Sequence, residues 1–207
     1  MEKRRDIALL FAKKYAENGK LSPQALEWLT NIIIPMHVLR GTMLLHEGEV
    51  CKYIYYVDKG LVRQAYMKKG KLLTEHIGYE DSMIICIESM FTQTPSQLSV
   101  ECLEPCRIYA LPYDDLSRAS HSSFEFCNLL MSILKESLIL SQHKADTLRF
   151  SSAQERYAIT LSEHPEMVRR TPLHILASYL QITPETLSRV RSKISEEKNS
   201  IEPTTTT

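Results

Sequence analysis

Ala177-Ser-Tyr-Leu-Gln-Ile-Thr-Pro-Glu-Thr-Leu-Ser-Arg189 is the stretch on which the reading of this chain turns. With Leu173 as position one of a twenty-residue helix-turn-helix template, Leu176 and Ala177 fall at positions four and five. Leu180 and Ile182 flank the turn, and Leu187 and Val190 fall at fifteen and eighteen, where the second helix packs on the first. Two helices that cross closely need a small residue at the crossing, and Ala177 supplies it. Thr183 suits the N-cap, Pro184 the first helical position and Glu185 the positive end of the helix dipole. Pro184, Glu185, Ser188, Arg189 and Ser192 are left off the packing face. The turn position is Gln181, where glycine is usual; a left-handed backbone there costs a glutamine about 1 kcal/mol.

Apolar spacing of this kind fits any helical pair, so charge is needed to decide. The chain as a whole has 25 cations and 25 acids. Between Arg149 and Lys193 there are seven cations (Arg149, Arg156, Arg169, Arg170, Arg189, Arg191, Lys193) and four acids. The local surplus of positive charge lies where contacts to a phosphate backbone are required.

Upstream, residues 122–148 read as one long helix. Ser122 and Ser123 are N-cap candidates, with Glu125 in the first turn. Cys127, Met131, Leu134, Leu138, Ser141, Ala145 and Leu148 recur at alternating spacings of four and three, a heptad seam. A second stripe runs through Phe126, Leu130, Ile133 and Leu140. One stripe can cover a neighbouring domain and the other can meet a second helix, either in the same subunit or in a second copy.

The first 121 residues have another character. All six glycines lie here, at 19, 41, 48, 60, 70 and 78. Gly41–Gly48, Tyr53–Gly60, Leu61–Met67, Leu72–Ile77 and Leu98–Leu111 read as strands between turns, with Lys68-Lys-Gly-Lys71 as a hairpin tip. Short strands at regular spacing predict an antiparallel sandwich or barrel. Before them, Asp6–Asn18 has helical spacing, and Ser22-Pro23 opens a second helix, Gln24–Ile33, which Pro35 ends.

Composition excludes several classes. The chain has 207 residues, of which 43% are hydrophobic and 24% charged, ordinary for a globular protein. The apolar run Met83–Ile87 is far short of the ~20 residues a membrane helix needs, and no secretory leader is read at the start, so a cytoplasmic location without membrane contact is expected. Five cysteines, an odd number with no Cys-x-x-Cys pair, fit free thiols in a reducing compartment. Cys102 and Cys106 read as core residues. The seven histidines are scattered. No Gly-x-Ser-x-Gly, phosphate loop or His-Glu-x-x-His appears, so the expectation is a non-enzyme with no cofactor or metal.

With the signature at 177–189 joined by Leu39-Arg-Gly-Thr-Met-Leu-Leu-His-Glu-Gly-Glu-Val50 and Tyr53-Ile-Tyr-Tyr-Val-Asp-Lys-Gly-Leu-Val-Arg63, the whole chain resembles the cyclic-AMP receptor protein and fumarate-nitrate regulator (Crp/Fnr) family of transcription factors, in its Bacteroidetes-type branch. The resemblance implies an α+β fold: helices and a cyclic-nucleotide-binding-like β-roll (a double-stranded β-helix) over 1–121, a dimerisation helix over 122–148, and a winged-helix-like helix-turn-helix domain with a disordered tail over 149–207. The tail after Lys193 is read as frayed. The family's flanking β-hairpins have little room here, because the link Glu166–Pro172 is short.

Carried over by position, Glu185, Arg189 and Ser188 touch base edges. Thr183, Thr186, Arg191, Lys193 and Arg170 contact the DNA backbone. Cys127, Met131, Leu134, Leu138 and Ala145 form the dimer seam. Relatives that bind a cyclic nucleotide hold its phosphate with a Gly-Glu turn, a helix N-terminus and an arginine. The corresponding region here gives Glu80, Asp81, Ser82, Ser96, Gln97 and, reaching in from outside, Arg63. Between Lys71 and Arg107 there is no Lys or Arg but six acids. An anion would be repelled there, so cyclic AMP is not expected to bind in the usual manner, which leaves either a vestigial pocket or an unidentified, less anionic effector. The expected partners are double-stranded DNA with a palindromic operator, a second copy of the chain, and RNA polymerase. Any signal is expected to pass through the hinge at Leu148–Ser152 as the one link between domains. The alternative reading is a dimeric β-roll sensor acting through protein contacts, its helix-turn-helix degenerate.

Overall fold

The computed structural model describes residues 2–201. Two helices open the chain, α1 (Glu2–Tyr15) and α2 (Pro23–Ile32). Ser22 caps α2, its Oγ accepting from the Ala25 amide at 3.2 Å, and Pro23 takes the first helical position. Eight strands follow: β1 (Ile34–Val38), β2 (Met43–Leu45), β3 (Tyr53–Lys59), β4 (Val62–Lys68), β5 (Lys71–Gly78), β6 (Ser82–Ile84), β7 (Leu98–Cys102) and β8 (Cys106–Pro112). A short helix, α3 (Ile87–Thr92), lies between β6 and β7.

The strands form two four-stranded antiparallel sheets, β1-β8-β3-β6 and β2-β7-β4-β5. This is the roll that the alternating stretches predicted. Its turns depend on backbone geometry at particular points. Gly60 joins β3 to β4 at φ 113°, and a Cβ there would meet Cys106 Sγ at 2.4 Å, so only glycine fits.

Helices make up the rest: α4 (Tyr113–Ser122), α5 (Phe124–Phe150), α6 (Ala153–Glu163), α7 (Pro165–Arg170), α8 (Leu173–Tyr179) and α9 (Pro184–Ile201). The sequence reading missed α4, and this changes the role of its serines. Ser122 ends α4, and Ser123 starts α5 without a side-chain cap. Glu125 instead accepts from the amide and the hydroxyl of Ser22, at 2.6 and 2.8 Å, and ties α5 to α2. A capping box opens α6: Ser152 Oγ accepts from the Glu155 amide, and Glu155 accepts from the Ser152 amide.

On α5, Phe126, Leu129, Leu130 and Ile133 are buried in the core that α1, α2 and the roll share. The end of the chain differs from the expectation of fraying after Lys193, since α9 continues to Ile201. The rest of the tail read as disordered, 202–207, lies outside the described residues.

Candidate nucleic-acid interface and sensor pocket

Helices α8 and α9 form the pair that the template required. Ala177 and Leu187 are wholly buried at their crossing, with Leu176, Leu180 and Ile175 around them. Gln181 adopts φ 54°, the left-handed turn residue expected in place of glycine. The Ile182 amide closes the turn on the Ala177 carbonyl at 3.0 Å. Thr183 caps α9, its Oγ1 accepting from the Thr186 amide at 3.2 Å.

Packing one face of α9 turns the other outward. Glu185, Ser188, Arg189 and Ser192 are exposed. The Glu185 carboxylate is held below its usual range by its own backbone amide at the start of the helix, then by the Thr183 hydroxyl and Arg189. Arg189 reaches back to Thr186 Oγ1 at 3.4 Å. Arg191 stacks over the Tyr157 ring at 5.7 Å, and its buried Nε has no hydrogen-bond partner. Among the described residues no strand follows β8, so no β-wing flanks the pair.

One residue assigned to the DNA backbone sits elsewhere. Arg170, at the end of α7, donates to both carboxylate oxygens of Glu104 and to Glu80. Its side chain is 18% exposed, and these carboxylates hold its guanidinium well above the ordinary range. The short α7 turns it inward, toward the acids of the roll.

The hinge is therefore not the one link between domains, because β5 runs along the helical domain. The Thr74 amide donates to Ser178 Oγ at 2.8 Å. Lys144 of α5 pairs with Glu75 at 2.9 Å and lies over the Tyr179 ring. Tyr79 Oη and His164 Nδ1 share a hydrogen bond at 2.9 Å. Leu61 and Ile77 complete the apolar core of the helix-turn-helix domain.

The residues assigned to the effector pocket do not converge. Glu80 accepts from the Gly60 amide as well as from Arg170. Asp81 accepts from the Tyr56 hydroxyl at 2.5 Å. Ser82 Oγ accepts from the Tyr79 amide in the β5–β6 turn, and Gln97 is exposed. Only Ser96 lies inside the roll, where its hydroxyl closes locally on Leu98.

Arg63 is the one buried Lys or Arg among the described residues, but it faces away from the roll's interior. Neighbours on a strand point to opposite faces. Gln64 points inward, donating to the Ile85 carbonyl at 3.0 Å and to Cys86 Sγ at 3.3 Å. Arg63 points outward to Thr74 Oγ1 and the Leu72 carbonyl.

The interior polar groups satisfy one another. The Cys51 amide donates to Ser89 Oγ at 2.9 Å, which donates to the Thr94 carbonyl at 2.7 Å. The neighbouring Cys51 thiol and burial push the Cys86 thiol up. No group of three or more metal-ligating side chains occurs among the described residues, and no described helix is long and apolar enough to cross a membrane.

The seam residues differ in exposure along α5. Met131 and Leu138 are 63% and 68% exposed, Cys127, Leu134 and Ala145 are half-buried, and Phe124, one heptad before Met131, is 73% exposed. Phe126, Leu130 and Ile133 of the second stripe are buried, whereas Leu140, its last member, is 49% exposed. Leu129, which neither stripe contained, is wholly buried.

Comparison with known proteins agrees with this architecture. Residues 35–123 match the cyclic nucleotide-binding domain family. FixK2 from Bradyrhizobium japonicum superposes at a TM-score of 0.70 with 17% identity, over 85% of this chain and 90% of that one. The c-di-GMP-responsive global regulator CLP of Xanthomonas campestris gives 0.65 with 16% identity, over 84% and 92%. A structure assigned to the Crp/Fnr family of transcriptional regulators, from Eubacterium rectale, gives 0.64 with 14% identity, over 86% and 85%. No curated protein matches the sequence significantly.

Proposed function

We propose, from the Crp/Fnr regulator fold and the cyclic nucleotide-binding domain within it, that this chain is a homodimeric DNA-binding transcriptional regulator and not an enzyme. The observation that carries the reading is the outward face of α9. A capped helix, set by an intact helix-turn-helix turn, presents Glu185, Ser188 and Arg189 to solvent. Arginine donates two hydrogen bonds to guanine, and a carboxylate accepts from cytosine. Thr186, Arg191 and Lys193 flank that face as backbone contacts, and Thr183 holds the helix start.

The exposed heptad face of α5 supports pairing of two copies through Met131, Leu138 and their neighbours. Two-fold symmetry then aims the recognition helices at half-sites one turn apart, about 34 Å, on a palindromic operator. RNA polymerase is the partner such a regulator acts upon. The alternative, a protein-contact module with a degenerate helix-turn-helix, has less support, because the turn, cap and packing residues of the pair are all in working geometry.

The roll has lost the cyclic-nucleotide phosphate site: its interior polar groups are bonded to each other, and its buried arginine faces outward. Calorimetric titration with cyclic AMP is expected to give no binding at micromolar ligand; a saturable micromolar isotherm refutes this part.

The DNA reading is tested by selecting bound fragments from a random duplex library with the purified chain. Arg189→Ala should cost about 1–3 kcal/mol of discrimination at one position of each half-site while leaving the melting temperature unchanged. A chain that selects no sequence, or a variant with wild-type preference, refutes it.

A further inference from the structure

We propose that the tip of the β4–β5 hairpin, Lys68-Lys69-Gly70-Lys71, is a second DNA-backbone contact beside the helix-turn-helix, standing where a β-wing is absent. The inference rests on the DNA-binding reading above and extends the surface that performs it.

The direction of the hairpin is fixed by two sets of contacts. At the far end of β5, Tyr79 and Glu80 meet His164 and Arg170, on the side of α7. Toward the tip, the Thr74 amide meets Ser178, in the last turn of α8. Following β5 from Glu80 back to Lys71 therefore runs alongside the helical domain, past α7 to the C-terminal end of α8. Lys71 lies three residues beyond Thr74, about 10 Å of extended chain. The end of α8 opens directly into the turn and the start of α9, which is the end of a helix-turn-helix that meets the groove. The tip is on that side.

Its chemistry suits phosphate. Lys68, Lys69 and Lys71 are exposed, and none of them forms an ion pair among the described residues. They ride on a defined turn: Lys68 pairs with Lys71 in the ladder, and Lys69 and Gly70 take φ 50° and 74°. Two consecutive left-handed residues are the mark of a tight hairpin turn whose twist matches its strands. Three ammonium groups are thus held on a short rigid element in a chain with no net charge. Protein–protein interfaces are depleted in lysine at their centres, whereas backbone contacts to DNA draw on it. The tip therefore fits a duplex better than an acidic protein.

The test uses the duplex that the full chain itself selects. Binding is measured from low to moderate salt for the wild type, for Lys68→Gln and Lys71→Gln singly, and for Lys68→Gln/Lys69→Gln/Lys71→Gln together. Each phosphate that a variant no longer neutralises should flatten the slope of log K against log salt by about one unit per site. Sequence preference should not change. The single exposed substitutions keep the test valid should the triple variant fold poorly. Wild-type slopes in all three variants overturn the hairpin contact alone, as does an effect confined to binding of an acidic protein partner. A wild-type chain with no affinity for any duplex overturns the DNA reading and this inference with it.

Discussion

Arg170 in α7 and Glu104 in the β7–β8 turn are joined through both carboxylate oxygens, Nε to Oε1 at 3.2 Å and a terminal nitrogen to Oε2. The same guanidinium holds Glu80. One side chain thus clamps the helix-turn-helix domain to two turns of the roll. Arg170→Ala is expected to remove about 1–3 kcal/mol from domain docking, because two half-buried carboxylates lose their partner. Hydrogen exchange should show faster opening of α8 and β5 while the strands inside the roll keep their protection. Unchanged exchange at Thr74 and Ser178 counts against the clamp.

Folding stability should fall in acid. Burial first, then Lys144 and His164, push the His76 imidazole down to about 4 from 6.5. Glu75 and Tyr179 also stand around Lys144, and Tyr79 around His164. A depressed histidine favours its neutral form in the folded state. The stability it contributes is complete above pH 6.5 and is lost as pH falls toward 4, by about 1 kcal/mol per unit. Glu80 adds to the destabilisation below this window. Burial raises its carboxyl, but bonds from Arg170 and the Gly60 amide outweigh that and hold it below the usual range. His76→Gln should flatten the melting-temperature profile between pH 6.5 and 4.5. A profile as steep as that of the wild type refutes the assignment.

The left-handed Gln181 gives a prediction of opposite sign. Gln181→Gly relieves a strained backbone at the helix-turn-helix turn and should stabilise the chain by about 1 kcal/mol, a rise of roughly 2–4 °C in melting temperature. DNA preference should hold, since Gln181 lies outside the face of α9. A lower melting temperature would mean that the glutamine makes a contact worth more than the strain.

Gln181 was legible in the sequence because the template position is local: apolar spacing on either side fixes where the turn falls. The roll was legible for the same reason, through glycines and alternation. Arg170 was not, because its partners are 66 and 90 residues away. The six acids between Lys71 and Arg107 suggest a pocket that repels anions, but two of them are engaged outside it. Glu80 and Glu104 face the helical domain and match its arginine. Arg63 carried a usable signal, since its neighbour Gln64 had to take the opposite face. If either residue entered the roll, the other could not.

The buried thiols allow a simple check of the roll. Cys51, Cys86, Cys102 and Cys106 are buried, and Cys127 alone is half-buried. A disulfide-exchange reagent should reach Cys127 only as fast as paired copies separate along α5, and the other four only at the rate of unfolding. Rapid reaction of three or more thiols in the folded chain would mean that the roll opens to solvent.

Helix α5 carries two apolar faces, and their mutations should separate. Leu129 is wholly buried against the roll, so Leu129→Ala should leave a cavity and cost about 2–5 kcal/mol of folding stability. Leu138 is 68% exposed in the single subunit, so Leu138→Glu removes no core packing and should leave the roll intact. Its effect should appear in assembly: paired seams would bury two opposed carboxylates, and the subunit should sediment as a monomer at concentrations where the wild type is a dimer. Operator affinity should fall with it, because a lone subunit engages one half-site. A Leu138→Glu chain that remains a dimer would place the contact between copies on some other surface and leave the exposed stripe of α5 without a role.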